Sequence, residues 1–153
     1  KTRAENLEEQ GWLVAVDADG RVLWEKTFGG RYGEGLSALC RTPDGGFLAV
    51  GYTESEDEFV PELTRYALCS GWALRLSPQG ELLWQARVVA GDCCALSEAI
   101  YDNNGFMIAG ESIWPDNPVE EGWALSLDGQ GLPRWSNNVE LDEVTVTLLQ
   151  GLP

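Results

Sequence analysis

The side chains that could do chemistry are few, and their types narrow the options before any fold is considered. The 153-residue chain contains no histidine. That removes the commonest general base and metal ligand. Neither a Ser-His-Asp triad nor a histidine-containing zinc site can be built within this chain. Carboxylates are plentiful, but spacing places no pair of them on a common cleft, so a glycosidase reading has no named residues behind it. Asp17 and Asp19 could join loop carbonyls around calcium. The calcium-loop pattern is absent, however, and an aspartate in Asp17-Ala18-Asp19-Gly20 serves equally well to hydrogen-bond its own turn. The acidic run Glu54, Glu56, Asp57, Glu58 and Glu62 reads as a solvated loop. No catalytic, cofactor-binding or metal-ligating residue is assigned, and no cofactor is expected.

Four cysteines remain: Cys40, Cys69, Cys93 and Cys94. Their spacing fits no zinc pattern, and Cys93-Cys94 is an adjacent pair rather than C-x-x-C. An even count is compatible with disulfides and an oxidising compartment. One expectation is a bridge from Cys69 to Cys40 or to one of the adjacent pair. A vicinal Cys93–Cys94 disulfide is an alternative. So are four reduced thiols, with Cys40 acting as a small core residue.

Ten basic residues face 25 acidic ones, for a net charge of −15. This balance opposes a nucleic-acid backbone or an anionic membrane surface as partner. No apolar run approaches the roughly 20 residues of a bilayer span, so membrane insertion is not expected. Lys1 to Asn6 lacks the apolar core of a signal peptide, which leaves a mature exported product open.

The elements that must position these residues are announced by a repeat. Gly11-Trp12, Gly71-Trp72 and Gly122-Trp123 each precede a second tryptophan twelve residues after the first, at Trp24, Trp84 and Trp135. A glycine stands four before each of these, at Gly20, Gly80 and Gly131. Six of the seven tryptophans fall in this register. A second half also recurs: Asp44-Gly45-Gly46-Phe47-Leu48-Ala49-Val50-Gly51 matches Asn103-Asn104-Gly105-Phe106-Met107-Ile108-Ala109-Gly110. Leu36-Ser37-Ala38-Leu39 and Leu96-Ser97-Glu98-Ala99 lie between the halves. Fixed internal periods signal a repeat architecture.

Each unit reads as four short strands joined by glycine turns, over Trp12 to Val16, Arg21 to Thr27, Leu36 to Arg41 and Phe47 to Tyr52 in the first. Units fall at about 11–54, 71–112 and 122–153, with an insertion at 55–70 that holds one short helical turn at most. Four strands in about 50 residues is the size of a propeller blade. The expectation is an all-β chain of four-stranded antiparallel β-propeller blades over residues 1–153, forming a segment of a larger ring. Several copies completing a ring together is the alternative. The repeated tryptophans are expected as wedges between sheets. Trp114 stands out of register. It is a candidate protein-interface residue in the linker Ile113 to Pro118, as are Phe59 and Tyr66 in the insertion.

These residues resemble the repeat of secreted bacterial β-propeller proteins, in which a tryptophan strand leads to Asp-x-x-Gly, a second tryptophan, and then Asp-Gly-Gly. The Gly20-x-x-x-Trp24 segment is similar to the tryptophan-docking motif of quinoprotein-like propellers. Ser77 stands where Asp17 does, so the aspartate is not a constant ligand. The resemblance implies an extracellular, periplasmic or cell-surface location. It also implies a non-catalytic interaction or structural module whose partner is another protein or its own neighbouring blades. Fragments of propeller enzymes, either quinoprotein-like dehydrogenases or glycan-processing proteins, are the alternative the group offers. Carbohydrate binding on exposed tryptophans is a further one.

Overall fold

A computed structural model describes residues 10–30, 32–55, 69–90, 93–114, 117–138 and 145–149. The described chain is all-β and antiparallel. Its strands are β1 (Gly11–Val16), β2 (Val22–Phe28), β3 (Glu34–Arg41), β4 (Phe47–Thr53), β5 (Ser70–Leu76) and β6 (Leu82–Val89). They continue with β7 (Cys93–Tyr101), β8 (Phe106–Trp114), β9 (Asn117–Leu127), β10 (Pro133–Asn138) and β11 (Thr145–Leu149). The first four match the four strands expected of one repeat unit to within two residues at each end.

The strands form three sheets: β1-β2, then β11-β6-β5-β4-β3, then β10-β9-β8-β7. They are offset from the sequence repeat by two strands. The second half of one unit pairs with the Gly-Trp hairpin of the next, as in β4 to β5, where Gly51 faces Trp72. Ile113, Trp114, Asn117 and Pro118, expected as a linker, instead lie in β8 and β9, where Trp114 pairs with Asn117. Strand pairing satisfies the backbone groups that a linker would leave to water. Phe59 and Tyr66 lie outside the described residues, as does most of the insertion.

Two of the bulges in the sheets recur at equivalent places in the repeat. Register shifts between Leu36 and Ala38 in β3 and between Leu96 and Glu98 in β7. The residues facing the bulges are Gly51 and Gly110, the last glycine of each second half. A bulge bends its strand and raises the local twist, and here it brings a carbonyl against the opposite backbone.

The main core lies between the five- and four-stranded sheets and includes Leu48, Val50, Val88, Leu96, Phe106, Ile108 and Leu125. A smaller core of Ala49, Trp72, Leu74 and Leu76 is covered by Leu13 and Phe28 from the β1-β2 hairpin. The alternation of strand side chains thus gives the central sheet two covered faces, and β5 is buried along its whole length. A sheet buried on both faces needs a neighbour on each side, and the two flanking sheets supply them.

Candidate functional site

The three hairpin turns are built alike. Asp17 Oδ1 accepts from the amides of Asp19 and Arg21, at 2.9 Å each. Ser77 Oγ accepts from Gln79 and Glu81 at 3.2 and 3.1 Å. Asp128 Oδ1 accepts from Gln130 and Leu132 at 2.9 Å each. One acceptor atom reaching two amides is all the position requires, which is why serine replaces aspartate in the second unit. Asp17 therefore spends Oδ1 on its own turn, and Asp19 pairs with Arg21 at 2.8 Å.

Across the sheets, the second tryptophan of each of the first two units docks on the turn of the next. Trp24 Nε1 donates to the Pro78 carbonyl at 3.1 Å. Trp84 Nε1 donates to the Gly129 carbonyl at 3.2 Å. Pro78 and Gly129 hold the same turn position, one after Ser77 and Asp128. The Trp24 ring covers Gly80, where a Cβ would lie 3.1 Å from the ring. Each docked ring also meets an equivalent phenylalanine edge-on, Trp24 to Phe47 at 6.3 Å and Trp84 to Phe106 at 6.0 Å between centroids. Gly11 and Gly71 repeat the correspondence, each abutting the leucine of the next sheet, Leu36 and Leu96. The step from the first sheet to the second is thus repeated from the second to the third. Burial of an indole with its N–H satisfied is the arrangement tryptophan favours in a packed interface.

The first tryptophan of each unit differs. Trp72 is 5% exposed and donates to Gln85 at 3.1 Å, whereas Trp12 is 56% exposed and donates to Glu25 at 2.9 Å. Trp123 is buried, but Ser136 stands at the position of Glu25 and Gln85, and Trp123 Nε1 has no partner among the described residues. The expectation of packed wedges fits Trp72, Trp84 and Trp123. Trp12 and Trp135, at 56% and 46% exposure, stand open.

The cysteines resolve into one bridge and two thiols. Cys69 is joined to Cys93, one of the pairings expected, and the link ties the start of β5 to the start of β7 in the next sheet. Cys94 is buried, accepts from the Gly71 amide at 3.0 Å and donates to the Val88 carbonyl at 2.9 Å. Burial pushes its thiol up from the ordinary cysteine range. Cys40 is half-buried against the main core, and burial raises it too.

Two polar clusters carry no signal in the repeat. Buried Glu34 accepts from Thr53 Oγ1 at 3.2 Å and from the Ser55 hydroxyl, beside a cavity of about 260 Å³ lined by Gly29, Gly30, Ser55, Trp72, Gln85 and Arg87. Glutamate between two glycines, Gly33 and Gly35, was the only hint of it. One carboxylate with two hydroxyls offers no second acid or base for hydrolysis. In the other cluster, Arg75 is nearly buried and pairs with Asp44 at 2.6 Å. Its guanidinium also caps the Phe47 and Leu76 carbonyls and lies 6.0 Å from the Phe106 ring centroid. The Thr42 hydroxyl, then the Gly46 amide and Arg75, hold the Asp44 carboxyl below its ordinary range.

Among the described residues no group of three or more Cys, Asp or Glu side chains converges as a metal site. The structure leaves the side chains of the expected interface residues Phe59, Tyr66 and Trp114 outside what it describes, and the expectation with them. What it does bring together is a pair of repeated sheet-to-sheet contacts. No protein-family model matches the chain, and no curated protein shows significant similarity to it.

Proposed function

We propose that the chain is a set of β-propeller blades, akin to secreted bacterial propeller repeats, that acts as a non-catalytic interaction or structural module outside the cytoplasm. The observation that carries this reading is the twice-repeated docking of Trp24 and Trp84 on the turns of the following sheets. It spends Trp24, Trp84 and Gly80, residues that the sequence repeats, on packing sheet against sheet, which is the use that blades make of them. The Cys69–Cys93 bridge is compatible with an oxidising, extracellular or periplasmic location. The surface left for function is then the outer sheet faces, with a protein partner or neighbouring blades as occupant.

A second reading, carbohydrate binding, is favoured by the exposure of Trp12 and Trp135, since exposed indoles stack on sugar rings. Thermal melting in the presence of glycans, and separately with calcium plus pyrroloquinoline quinone, separates the classes, because any ligand of the native state raises Tm by mass action. The module reading expects no rise in either case. A rise with quinone and calcium would replace it with the propeller-enzyme alternative. A rise with a glycan that Trp12→Ala or Trp135→Ala abolishes would replace it with the lectin-like one.

A further inference from the structure

The docking contact that joins the sheets has an unused donor at one end of the stack and an unused acceptor at the other. Trp135 occupies the position of Trp24 and Trp84, yet it is 46% exposed and makes no hydrogen bond or ring contact among the described residues. The turn Asp17 to Gly20 occupies the position of Ser77 to Gly80 and Asp128 to Gly131. Gly80 and Gly131 are buried, while Gly20 is exposed with no atom near its Cβ direction.

The faces behind these groups agree. Trp72, Leu74 and Leu76 in β5 are covered by the β1-β2 hairpin. Their counterparts in β1, Trp12, Val14 and Val16, are all exposed; Val16 is 53% exposed where Leu76 is fully buried. Gly11 and Gly71 each abut a leucine of the adjoining sheet, but Gly122 meets nothing among the described residues. Features that are filled at both internal steps are therefore open together at the two outer faces, and two of them, the Trp135 indole and the Asp17 to Gly20 turn, are complementary.

We infer that these two faces are halves of one interface, and that a second copy of this chain occupies it head to tail. The Trp135 indole of one copy covers Gly20 of the next, with its Nε1 donating to the Ala18 carbonyl, and the outer face of the four-stranded sheet covers Trp12, Val14 and Val16. The occupant follows from continuity with the contact already made twice within the chain. A contact between unlike faces closes into a ring where the rotation allows and otherwise extends as a filament. The net charge of −15 opposes it, so added salt should strengthen it. The inference rests on the blade-packing reading above.

Sedimentation velocity over a range of protein and salt concentrations tests it, using the wild-type chain, Val16→Glu and Trp135→Ala. Both substituted positions are exposed in the single chain, so folding should survive. Wild type should gain mass with concentration and with salt. Each variant alone should associate about thirtyfold more weakly or worse, as befits loss of a central anchor. Mixed in equal amounts, they should form a one-to-one pair and nothing larger, because one retains only the donor face and the other only the acceptor face. A wild-type chain that stays monomeric in high salt overturns the inference. So does a variant that assembles as wild type does. Near-UV circular dichroism keeps the two readings apart. A monomer whose tryptophan signal falls on Trp84→Phe retains internal docking and loses only self-association, whereas a monomer indifferent to that substitution loses both.

Discussion

Gly51 lies directly beneath the carbonyl of Gly35, so that a Cβ at Gly51 would stand 1.9 Å from that oxygen. The approach exists because β3 bulges between Leu36 and Ala38 opposite this residue. Gly110 repeats the relationship beneath the Ala95 carbonyl, where the distance would be 2.3 Å. The recurring glycine at the end of each Phe-x-x-x-Gly strand is therefore a space requirement and not a matter of φ. Gly51→Ala should cost about 2–3 kcal/mol or more, since backbone must move to admit the methyl group. Chemical denaturation measures it. Gly122→Ala, at an open glycine of β9, is the control and should cost less than about 1 kcal/mol.

Much of this was legible in the sequence, and the parts that were not have physical reasons. Strand positions followed from glycine turns and alternation, because a turn's φ requirement is local. Gly20, Gly80 and Gly131 do carry positive φ. The division into sheets did not follow. The link between β2 and β3 and the link between β4 and β5 are both segments between strands, and only pairing tells which one changes sheet. The Cys69 partner stayed open among three because loop closure costs vary slowly with length. The Arg75–Asp44 pair was invisible for a related reason: the two residues are 31 apart and meet only through the β4-β5 pairing.

The orphan indole of Trp123 offers a stabilising substitution. In the first two units the residue thirteen after the first tryptophan, Glu25 or Gln85, accepts from its Nε1. Ser136 is too short to do so, and Trp123 Nε1 is buried without a partner among the described residues. A buried unsatisfied donor costs about 1–3 kcal/mol. Ser136→Gln should recover about 1 kcal/mol of this, read as a higher denaturation midpoint with an unchanged slope. Ser136→Leu, equally long but without an acceptor, should not.

The Cys69–Cys93 bridge closes a loop of 24 residues and joins two sheets. By loop-closure entropy it should contribute about 3 kcal/mol. Reduction, or Cys69→Ser with Cys93→Ser, should lower stability by that order. In the oxidised protein, Cys94 should resist alkylation at mildly alkaline pH, because burial both shields the thiol and raises its pKa. Reduction that loosens the start of β7 should expose it. Mass spectrometry after labelling reads both effects, and Cys94 labelled in the oxidised native state would contradict the buried placement.

Asp44 should give the protein an acid-labile component. Its folded pKa is depressed by the Thr42 hydroxyl, the Gly46 amide and Arg75. A carboxyl whose folded pKa lies below its unfolded value, about 3.9, binds fewer protons in the native state. Its stabilisation is complete above the unfolded value and is lost as pH falls through the folded one. Asp44→Asn removes the charge while keeping the side-chain shape, and it strips a nearly buried Arg75 of its counter-ion. The variant should be less stable than wild type at neutral pH. The gap should narrow as pH drops below about 4 and vanish once wild-type Asp44 is protonated. Because Asp44 is largely exposed, salt should also shrink the gap. Urea midpoints at stepped pH measure it directly, and a gap independent of pH would mean that Asp44 acts through its turn hydrogen bonds and not through its charge.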